Sequence, residues 1–285
     1  MMGLPSDIAL YASAGDKACE VLGSGCMTSD IGCLSYGTTA TVNTTTTKYF
    51  EPIPLLPSYP AAMPDTYTTE VSIYRGYWMV SWFKEQFAHP EVQRAQSLDV
   101  EPEALFDDLI ADVPPGADGL VLQPYWSPGI RTPGPEAKGA IIGFSDSHTR
   151  AHIYRALLEG IAFGLKEGCE RIEKKSGVSV KRIRVSGGGA QSDAAMQLTA
   201  DVFGMPAERP HTFETSGLGA AINAAVGSGT FENYHAALEA MTRCGEVFEP
   251  IPVNVRRYEA LYRTVYTPMY RRLKPLYLAL KKMGF

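Results

Sequence analysis

The sequence predicts an α/β fold, and three patterns support this class. Residues 30–36 are strand-like, residues 40–47 are rich in Thr and Val, and Gly37-Thr38 between them predicts a β-hairpin. Residues 149–175 carry apolar side chains at helical spacing. Residues 183–185 form a short apolar strand that runs into a glycine-rich turn and then into a helix. Strands that alternate with helices along a chain are typical of α/β domains.

The remaining elements follow from apolar runs, helix-capping residues and turn signals. In chain order they are a buried strand at 8–14, helices at 16–22 and 193–203, an extended piece at 206–210, and helices at 215–227, 233–241 and 255–283. The last helix carries a tyrosine at every fourth position. We expect these rings to pack inward while the neighbouring arginines reach solvent. The alternative for this segment is nucleic-acid binding through aromatic rings interleaved with cations.

Residues 48–135 differ in composition from the rest and are predicted to be a loop-rich insertion. Five prolines lie within residues 51–64, which excludes regular structure there. The expected elements of the segment are a helix from the aromatic stretch 74–83 to residue 87, a helix near 103–111 and a strand at 120–122. Trp78, Trp82 and Phe83 are expected to pack in the core; the alternative is that they line a sugar site or a subunit interface.

Composition and charge restrict the classes of protein that the chain can belong to. It has 285 residues, of which 45% are hydrophobic and 20% are charged, and this is the composition of a globular protein. The formal net charge of −5 argues against a nucleic-acid coat or a binder of anionic membranes. No apolar run approaches the ~18 residues of a spanning helix, and no signal peptide is visible. We therefore expect a cytoplasmic protein that binds neither nucleic acid nor membrane.

The cysteines and histidines predict neither a disulfide framework nor a metal site. The cysteines are odd in number and include no Cys-x-x-Cys pair, so we expect buried free thiols. They are Cys19, Cys26, Cys33, Cys169 and Cys244. His148 and His152 have the spacing of two ligands on one helix face, but no third ligand stands near them in the sequence.

Three turns carry residue types that could perform chemistry. Residues 186–190 (Ser-Gly-Gly-Gly-Ala) join a strand to a helix, where glycines let the backbone approach a ligand and the helix start favours an anion. Residues 37–39 (Gly-Thr-Thr) offer backbone N–H groups and hydroxyls to a phosphate. Asp16 follows a predicted strand, and it is either a general base that faces a crevice or the cap of the next helix. Each glycine turn by itself is also compatible with a plain structural turn.

One segment carries the most specific pattern in the chain. Two glycines frame apolar residues at 139–143, and His152-Ile153 and residues 156–159 (Ala-Leu-Leu-Glu) follow at fixed spacing. This pattern resembles a signature of the FGGY carbohydrate kinases, from which Phe144 and Leu157 depart only in being larger. The three turns described above then resemble, in order, other motifs of the same family.

The resemblance implies an actin-like ATPase domain of the ribonuclease H-like class, which has a mixed sheet flanked by helices, here with a loop-rich insertion. It also implies ATP and Mg²⁺ as cofactors and a sugar or polyol as substrate. Asp16 would be the catalytic base. The nucleotide-binding residues would be Gly37, Thr38, Thr39, Gly187, Gly188, Gly189, Ala190 and Asp193. Mg²⁺ would bridge phosphate oxygens, partly through water, with no ligand assigned to the protein.

The resemblance covers only the C-terminal half of such kinases. Residues 1–285 are thus expected to form one nucleotide-binding domain, with residues 48–135 inserted in it and the N-terminal sugar-binding domain absent. That domain would be a partner, and the isolated chain would be inactive. The exposed domain face predicts a sticky apolar patch or a homodimer. The alternative is a non-catalytic actin-like module that binds nucleotide as a regulator or interaction partner, which the presence of Asp16 disfavours.

Overall fold

The main sheet of the computed structural model, which describes residues 8–285, is mixed, as expected. The strands are β1 Ile31–Tyr36, β2 Ala40–Thr46, β3 Tyr59–Pro60, β4 Tyr67–Ile73, β5 Val121–Gln123, β6 Ala140–Ile142, β7 Arg182–Ser186, β8 Ala207–Pro210 and β9 Cys244–Phe248. One sheet has the order β3-β4-β2-β1-β7-β8-β9, and β5 pairs with β6 separately. In the large sheet β1 is antiparallel to β2, which confirms the predicted hairpin, and parallel to β7.

Helices flank this sheet. They are α1 Asp16–Gly23, α2 Trp78–Phe87, α3 His89–Leu98, α4 Phe106–Ile110, α5 Arg150–Ser176, α6 Asp193–Phe203, α7 Thr215–Gly227, α8 Tyr234–Met241, α9 Pro252–Leu261 and α10 Thr267–Lys282. The longest, α5, begins at Thr149 with a capping box and ends at Gly177, whose φ of 73° is left-handed. Helical spacing of the apolar residues therefore predicted this element correctly.

The two faces of the sheet carry different helices. Leu34 and Tyr36 of β1 belong to the large core with α5 and α6, whereas Cys33 packs with Val21 of α1. Alternate residues of a strand point to opposite faces, so α5 and α6 lie on one face and α1 lies on the other. Helix α7 packs against α1 on that second face.

Three of the four C-terminal tyrosines pack inward, as predicted, whereas Tyr270 is only half-buried. Tyr258, Tyr262 and Tyr266 are buried, and their ring centroids lie 5.2–5.9 Å from that of Phe163 in α5. The turn Tyr262–Tyr266 between α9 and α10 is π-helical. These rings attach the C-terminal helices to the core by apolar burial.

Residues 48–135 are more regular than the sequence predicted. Strand β4 from this segment is an inner strand of the main sheet, and Phe83 of α2 and Phe106 of α4 are fully buried in the large core. The Pro-rich residues 51–64 are largely irregular, as expected. The pattern missed β4 because its polar and charged residues hide the buried positions Thr68, Thr69 and Ile73. It missed α3 and β9 because both are mostly exposed and polar and therefore carry no apolar periodicity.

The buried strand expected at 8–14 was wrong. This segment forms no strand, and Leu10 is 89% exposed. An apolar run becomes a strand only where a sheet edge accepts it, and no strand within residues 8–285 pairs with this run. Residues 1–7, on which the expectation of no signal peptide rests, lie outside the described residues.

Most of the cysteine expectation is confirmed. Four cysteines are buried free thiols, whereas Cys244 is free but exposed, because β9 is an edge strand whose side chains meet solvent. No helix within residues 8–285 is both long enough and apolar enough to cross a membrane.

Two glycines bring α1 and α7 into backbone contact. A Cβ atom on Gly219 would lie 1.9 Å from the carbonyl oxygen of Cys19, and one on Gly23 would lie 2.0 Å from that of Thr215. Both distances are far inside van der Waals contact, so only glycine fits at either position. This close approach fixes α1, and with it Asp16, against the second face of the sheet.

We predict that Gly219→Ala lowers the free energy of unfolding by about 1–3 kcal/mol, because the methyl group forces the two helices apart. Gly217→Ala is the matched control in the same helix. A Cβ atom there meets no atom within 4 Å, and alanine favours helix by about 1 kcal/mol over glycine. Urea denaturation followed by circular dichroism measures both. Equal effects of the two substitutions would contradict the packing argument.

Candidate functional site

A crevice of about 800 Å³ opens at the carboxyl ends of β1 and β7. The two strands are parallel and adjacent, with Ser35 beside Ser186, so the turns that follow them emerge at the same edge of the sheet. Gly37 and Thr38 after β1 therefore line the same crevice as Gly188 and Gly189 after β7. We call it the glycine crevice. The structure thus brings together two turns that the sequence singled out independently.

Each glycine in the turn after β7 has a different role. Gly187 has a φ of 86°, and its Cβ would lie 3.0 Å from the backbone of Tyr36. A Cβ on Gly189 would lie 2.2 Å from the ring of Tyr77. A Cβ on Gly188 meets no atom within 4 Å. Gly187 and Gly189 are thus required by packing, while Gly188 leaves open space beside its backbone.

The turn after β1 is held by the start of α2. The carbonyl oxygens of Gly37 and Thr38 accept hydrogen bonds from the backbone N–H groups of Tyr77 and Trp78 at 3.0 and 3.4 Å. The Thr39 hydroxyl donates to the carbonyl oxygen of Tyr74 at 3.2 Å. Thr38 lines the glycine crevice and Thr39 does not. Thr39 therefore braces the hairpin against β4 rather than facing the crevice.

Helix α6 begins at the same crevice, where Asp107 occupies its N-terminus. One carboxylate oxygen of Asp107 accepts from the Ser192 hydroxyl at 2.5 Å, and the other accepts from the backbone N–H of Ala194 at 3.1 Å. A carboxylate at this position stabilises the positive end of the helix. The anion position that the sequence suggested at this helix start is therefore filled from within the chain.

Arg209 fixes the last two of the predicted nucleotide-binding residues. It donates to the carbonyl oxygen of Ala190 at 2.7 Å and pairs with the Asp193 carboxylate at 2.6 Å. The Ala190 side chain is buried, whereas the Asp193 side chain is 70% exposed at the rim of the crevice. Ala190 thus shapes the turn, and Asp193 is an ion-paired rim residue.

The crevice wall is acidic. Among its lining residues are four carboxylates and no lysine or arginine. The carboxylates belong to Glu101, Glu103, Asp107 and Asp193. Glu103 pairs with Lys84 at 2.6 Å and Asp193 with Arg209 at 2.6 Å, while Asp107 caps α6, so three of the four charges are compensated. The wall therefore offers hydrogen-bond acceptors, which suit an uncharged ligand moiety with donors.

An aromatic wall from residues 48–135 completes the crevice, and sequence reasoning missed most of it. Tyr77 stacks on Tyr36 with ring centroids 4.5 Å apart, and burial raises the pKa of the Tyr77 phenol well above its usual value. Trp78 also lines the crevice, while Trp82 packs on Trp126 and Phe83 is buried. The core expectation therefore holds for two of the three aromatic residues. The sequence shows the aromatic stretch, but not that it lies beside the Gly37-Thr38 turn. Only the fold brings the two together.

Asp16 lies beyond the same edge of the sheet but does not line the crevice. One turn later in α1, the Glu20 carboxylate accepts a hydrogen bond from the Ser186 hydroxyl at 2.6 Å and pairs with Lys17. Arg184, two residues earlier in β7, donates to the carbonyl oxygen of Ser24 at the other end of α1. Helix α1 thus runs against β7, and Asp16 stands about 6 Å past the level of Glu20. Its exposed carboxylate accepts only from the backbone N–H of Lys17 within residues 8–285.

We predict that Ser186→Ala lowers the free energy of unfolding by about 1–3 kcal/mol, because the nearly buried Glu20 carboxylate loses a hydrogen bond that water cannot fully replace. Ser97→Ala is the control, since the Ser97 hydroxyl also donates a hydrogen bond, to the carbonyl oxygen of Arg94, but is exposed. Thermal denaturation of both variants is the measurement. A change no larger than that of the control would show that the Glu20–Ser186 bond does not hold α1.

The chain matches known proteins over most of its length. The model of the FGGY family of carbohydrate kinases, C-terminal domain, matches residues 32–228. An uncharacterized sugar kinase, YgcE, of Escherichia coli is 33% identical over 265 residues, which cover 92% of this chain and 53% of that protein. A xylulose kinase of Staphylococcus epidermidis is 36% identical over 282 residues, which cover 96% of this chain and 53% of that protein.

A solved structure of similar fold agrees with these matches. The structure of xylulose kinase from Rhodospirillum rubrum superposes with a TM-score of 0.81 at 29% identity, and covers 96% of this chain and 54% of that one. The chain thus spans about half the length of the relatives it matches. By its sequence and its actin-like mixed sheet, it belongs to the FGGY family of carbohydrate kinases and carries their C-terminal domain.

Proposed function

We propose that the chain is the nucleotide-binding half of an ATP-dependent kinase that phosphorylates a hydroxyl of a sugar or polyol. The observation that carries the proposal is the meeting of the two glycine turns in one crevice, with Asp16 beyond the same sheet edge. Relatives of this chain are named xylulose kinase, glycerol kinase and gluconokinase, which supports a polyhydroxylated substrate. Residues 1–285 would form one domain, with residues 48–135 inserted in it.

The nucleotide would lie along the glycine crevice. Its base and ribose are uncharged and carry donors, so they suit the acidic wall beside Gly188 and Gly189. Its phosphates would lie at Gly37 and Thr38, since a glycine turn with a hydroxyl residue can offer backbone N–H groups and a hydroxyl to a phosphate. Gly187 and Ala190 would shape the turn, and Thr39 and Asp193 would act through their contacts with Tyr74 and Arg209. Mg²⁺, when bound, would neutralise phosphate charge through phosphate oxygens and water.

Asp16 would accept the proton of the attacking hydroxyl. Phosphoryl transfer depends mainly on positioning and electrostatic stabilisation, so the base must be held in place but remain accessible. The Glu20–Ser186 bond holds the helix of Asp16 to the end of β7, directly before Gly187. This contact supports a fixed position of Asp16 relative to the glycine turn at residues 187–189. The carboxylate itself is exposed, as a base that meets a substrate from another domain requires.

The other half of the cleft would come from a partner domain. An N-terminal domain of the same family would supply most sugar contacts, so the isolated chain would bind nucleotide without turning over sugar. The exposed domain face would favour association, either with that domain or with a second copy. We place the protein in the cytoplasm, where its free thiols would stay reduced.

We predict that Gly188→Trp weakens binding of Mg·ADP to this chain at least about tenfold, because its side chain starts in the open space beside the Gly188 backbone and would occupy the crevice. Isothermal titration of the 285-residue chain measures it. Lys174→Trp, at an exposed position of α5 outside the crevice, is the matched control and should bind as wild type does. Unchanged binding by Gly188→Trp would place the nucleotide elsewhere. A wild-type chain that binds no Mg·ADP would contradict the proposal for the isolated chain.

In an intact kinase that contains this chain, we predict that Asp16→Asn lowers kcat by ~10²–10⁴-fold, because the amide cannot accept the hydroxyl proton. Binding of Mg·ADP to the isolated chain should not change, since Asp16 does not line the glycine crevice. Steady-state kinetics and titration give the two readouts. A variant with nearly normal kcat would remove Asp16 from the mechanism.

A further inference from the structure

We infer that Arg75, at the rim of the glycine crevice, binds the β-phosphate of the nucleotide. The inference rests on the proposed function and adds one side chain to the proposed site. Among residues 8–285, four carboxylates and no lysine or arginine line the crevice. A nucleoside diphosphate carries several negative charges, so a cation at the rim would stabilise the end of the crevice that receives its phosphates.

Hydrogen bonds attach the segment that contains Arg75 to the hairpin turn after β1. On one side of Arg75, the carbonyl oxygen of Tyr74 accepts from the Thr39 hydroxyl at 3.2 Å. On the other side, the backbone N–H of Tyr77 donates to the carbonyl oxygen of Gly37 at 3.0 Å. The backbone of Arg75 is therefore held beside the turn at which the phosphates of the nucleotide are proposed to lie.

The backbone on both sides of Arg75 also touches the residue that follows this turn. Strand β4 ends at Ile73, which pairs with Ala40, the first residue of β2. A Cβ atom on Gly76 would lie 2.3 Å from the backbone nitrogen of the same Ala40. Arg75 thus stands between two contacts with the end of the hairpin turn, which leaves its backbone little freedom to move away.

The side chain of Arg75 is placed by Trp78. Its guanidinium carbon lies 4.8 Å from the centroid of the Trp78 ring, which is a cation–π contact. Trp78 itself lines the glycine crevice. Arg75 is exposed and bonds no acceptor within residues 8–285, so all five of its N–H groups remain for a ligand. A guanidinium with free donors therefore lies against a wall of the crevice.

Other cations close to the crevice are already engaged. Arg209 pairs with Asp193 at 2.6 Å, and Lys84 pairs with Glu103 at 2.6 Å. Arg75 forms no such pair with any residue from 8 to 285, so its charge is not compensated. A planar guanidinium can bond two oxygens of one phosphate at once, and it stays charged at every pH at which the protein is folded. Phosphate is therefore the group of a nucleotide that Arg75 suits.

Titration of the 285-residue chain with Mg·ADP tests the inference. Arg75→Met keeps an unbranched side chain but removes the charge and the donors, and we expect it to raise the Kd about tenfold, because a charge-assisted hydrogen bond is lost. Arg75→Lys keeps the charge without the planar donors and should have a smaller effect. Arg94→Met is the matched control. It changes an exposed arginine of α3 outside the crevice and should bind as wild type does.

A comparison of ADP with AMP separates a phosphate contact from mere support of the Trp78 ring. AMP lacks the β-phosphate, so Arg75→Met should weaken binding of ADP more than binding of AMP. Loss of the charge should also make the Kd for ADP depend less on salt concentration. Equal weakening of the two nucleotides would show that Arg75 only supports Trp78, and it would overturn the inference.

Failure of this inference can be told from failure of the proposed function. If wild type binds Mg·ADP and Gly188→Trp loses that binding, but Arg75→Met binds as wild type does, the inference alone is overturned. A wild-type chain that binds no Mg·ADP overturns both. Circular dichroism checks the fold of each variant. If Arg75→Met does not fold, the comparison of Arg75→Lys with Arg94→Lys decides.

Discussion

The parallel pairing of β1 with β7 is the contact on which the rest of the site depends. Its register runs from Ile31 beside Arg182 to Ser35 beside Ser186, so both strands end at the same level. The turns after them consequently meet, although a long stretch of chain separates them. Helix α5 and the residues before it cross between the two strands, as a parallel connection requires. Without this pairing neither glycine turn would have a partner across a crevice.

A buried carboxylate joins the second face of the sheet to this edge. Glu20 bonds Ser186 and pairs with Lys17, so both of its oxygens have partners despite its burial. Burying a carboxylate is costly unless its oxygens are satisfied, and this arrangement meets that condition. The backbone contact of α1 with α7 leaves little freedom for α1 to shift. The position of Asp16 therefore follows from packing several residues away rather than from contacts of its own.

The glycine crevice combines a wall of hydrogen-bond acceptors with two glycine turns. Four carboxylates and no lysine or arginine line it, and two of the four are paired with cations outside the lining, Glu103 with Lys84 and Asp193 with Arg209. Under the proposed function, this wall would meet the base and ribose of a nucleotide, and the turn at Gly37 and Thr38 would meet its phosphates. The segment 48–135 contributes Tyr77, Trp78 and Asp107 to the crevice, so it takes part in the site as well as in the core.

The sequence by itself determined the class of fold, the hairpin and the helices α5, α6 and α7, because their periodicity, caps and turn residues are local signals. It also marked both glycine turns, since glycine and hydroxyl residues at strand ends are visible without a structure. Only the tertiary structure decided which residues face the crevice. It moved Thr39 and Ala190 into supporting contacts, and it brought in Asp107, Arg209 and Tyr77 from distant segments. It also removed the strand expected at 8–14, because whether an apolar run is buried depends on a neighbour that the run itself does not specify.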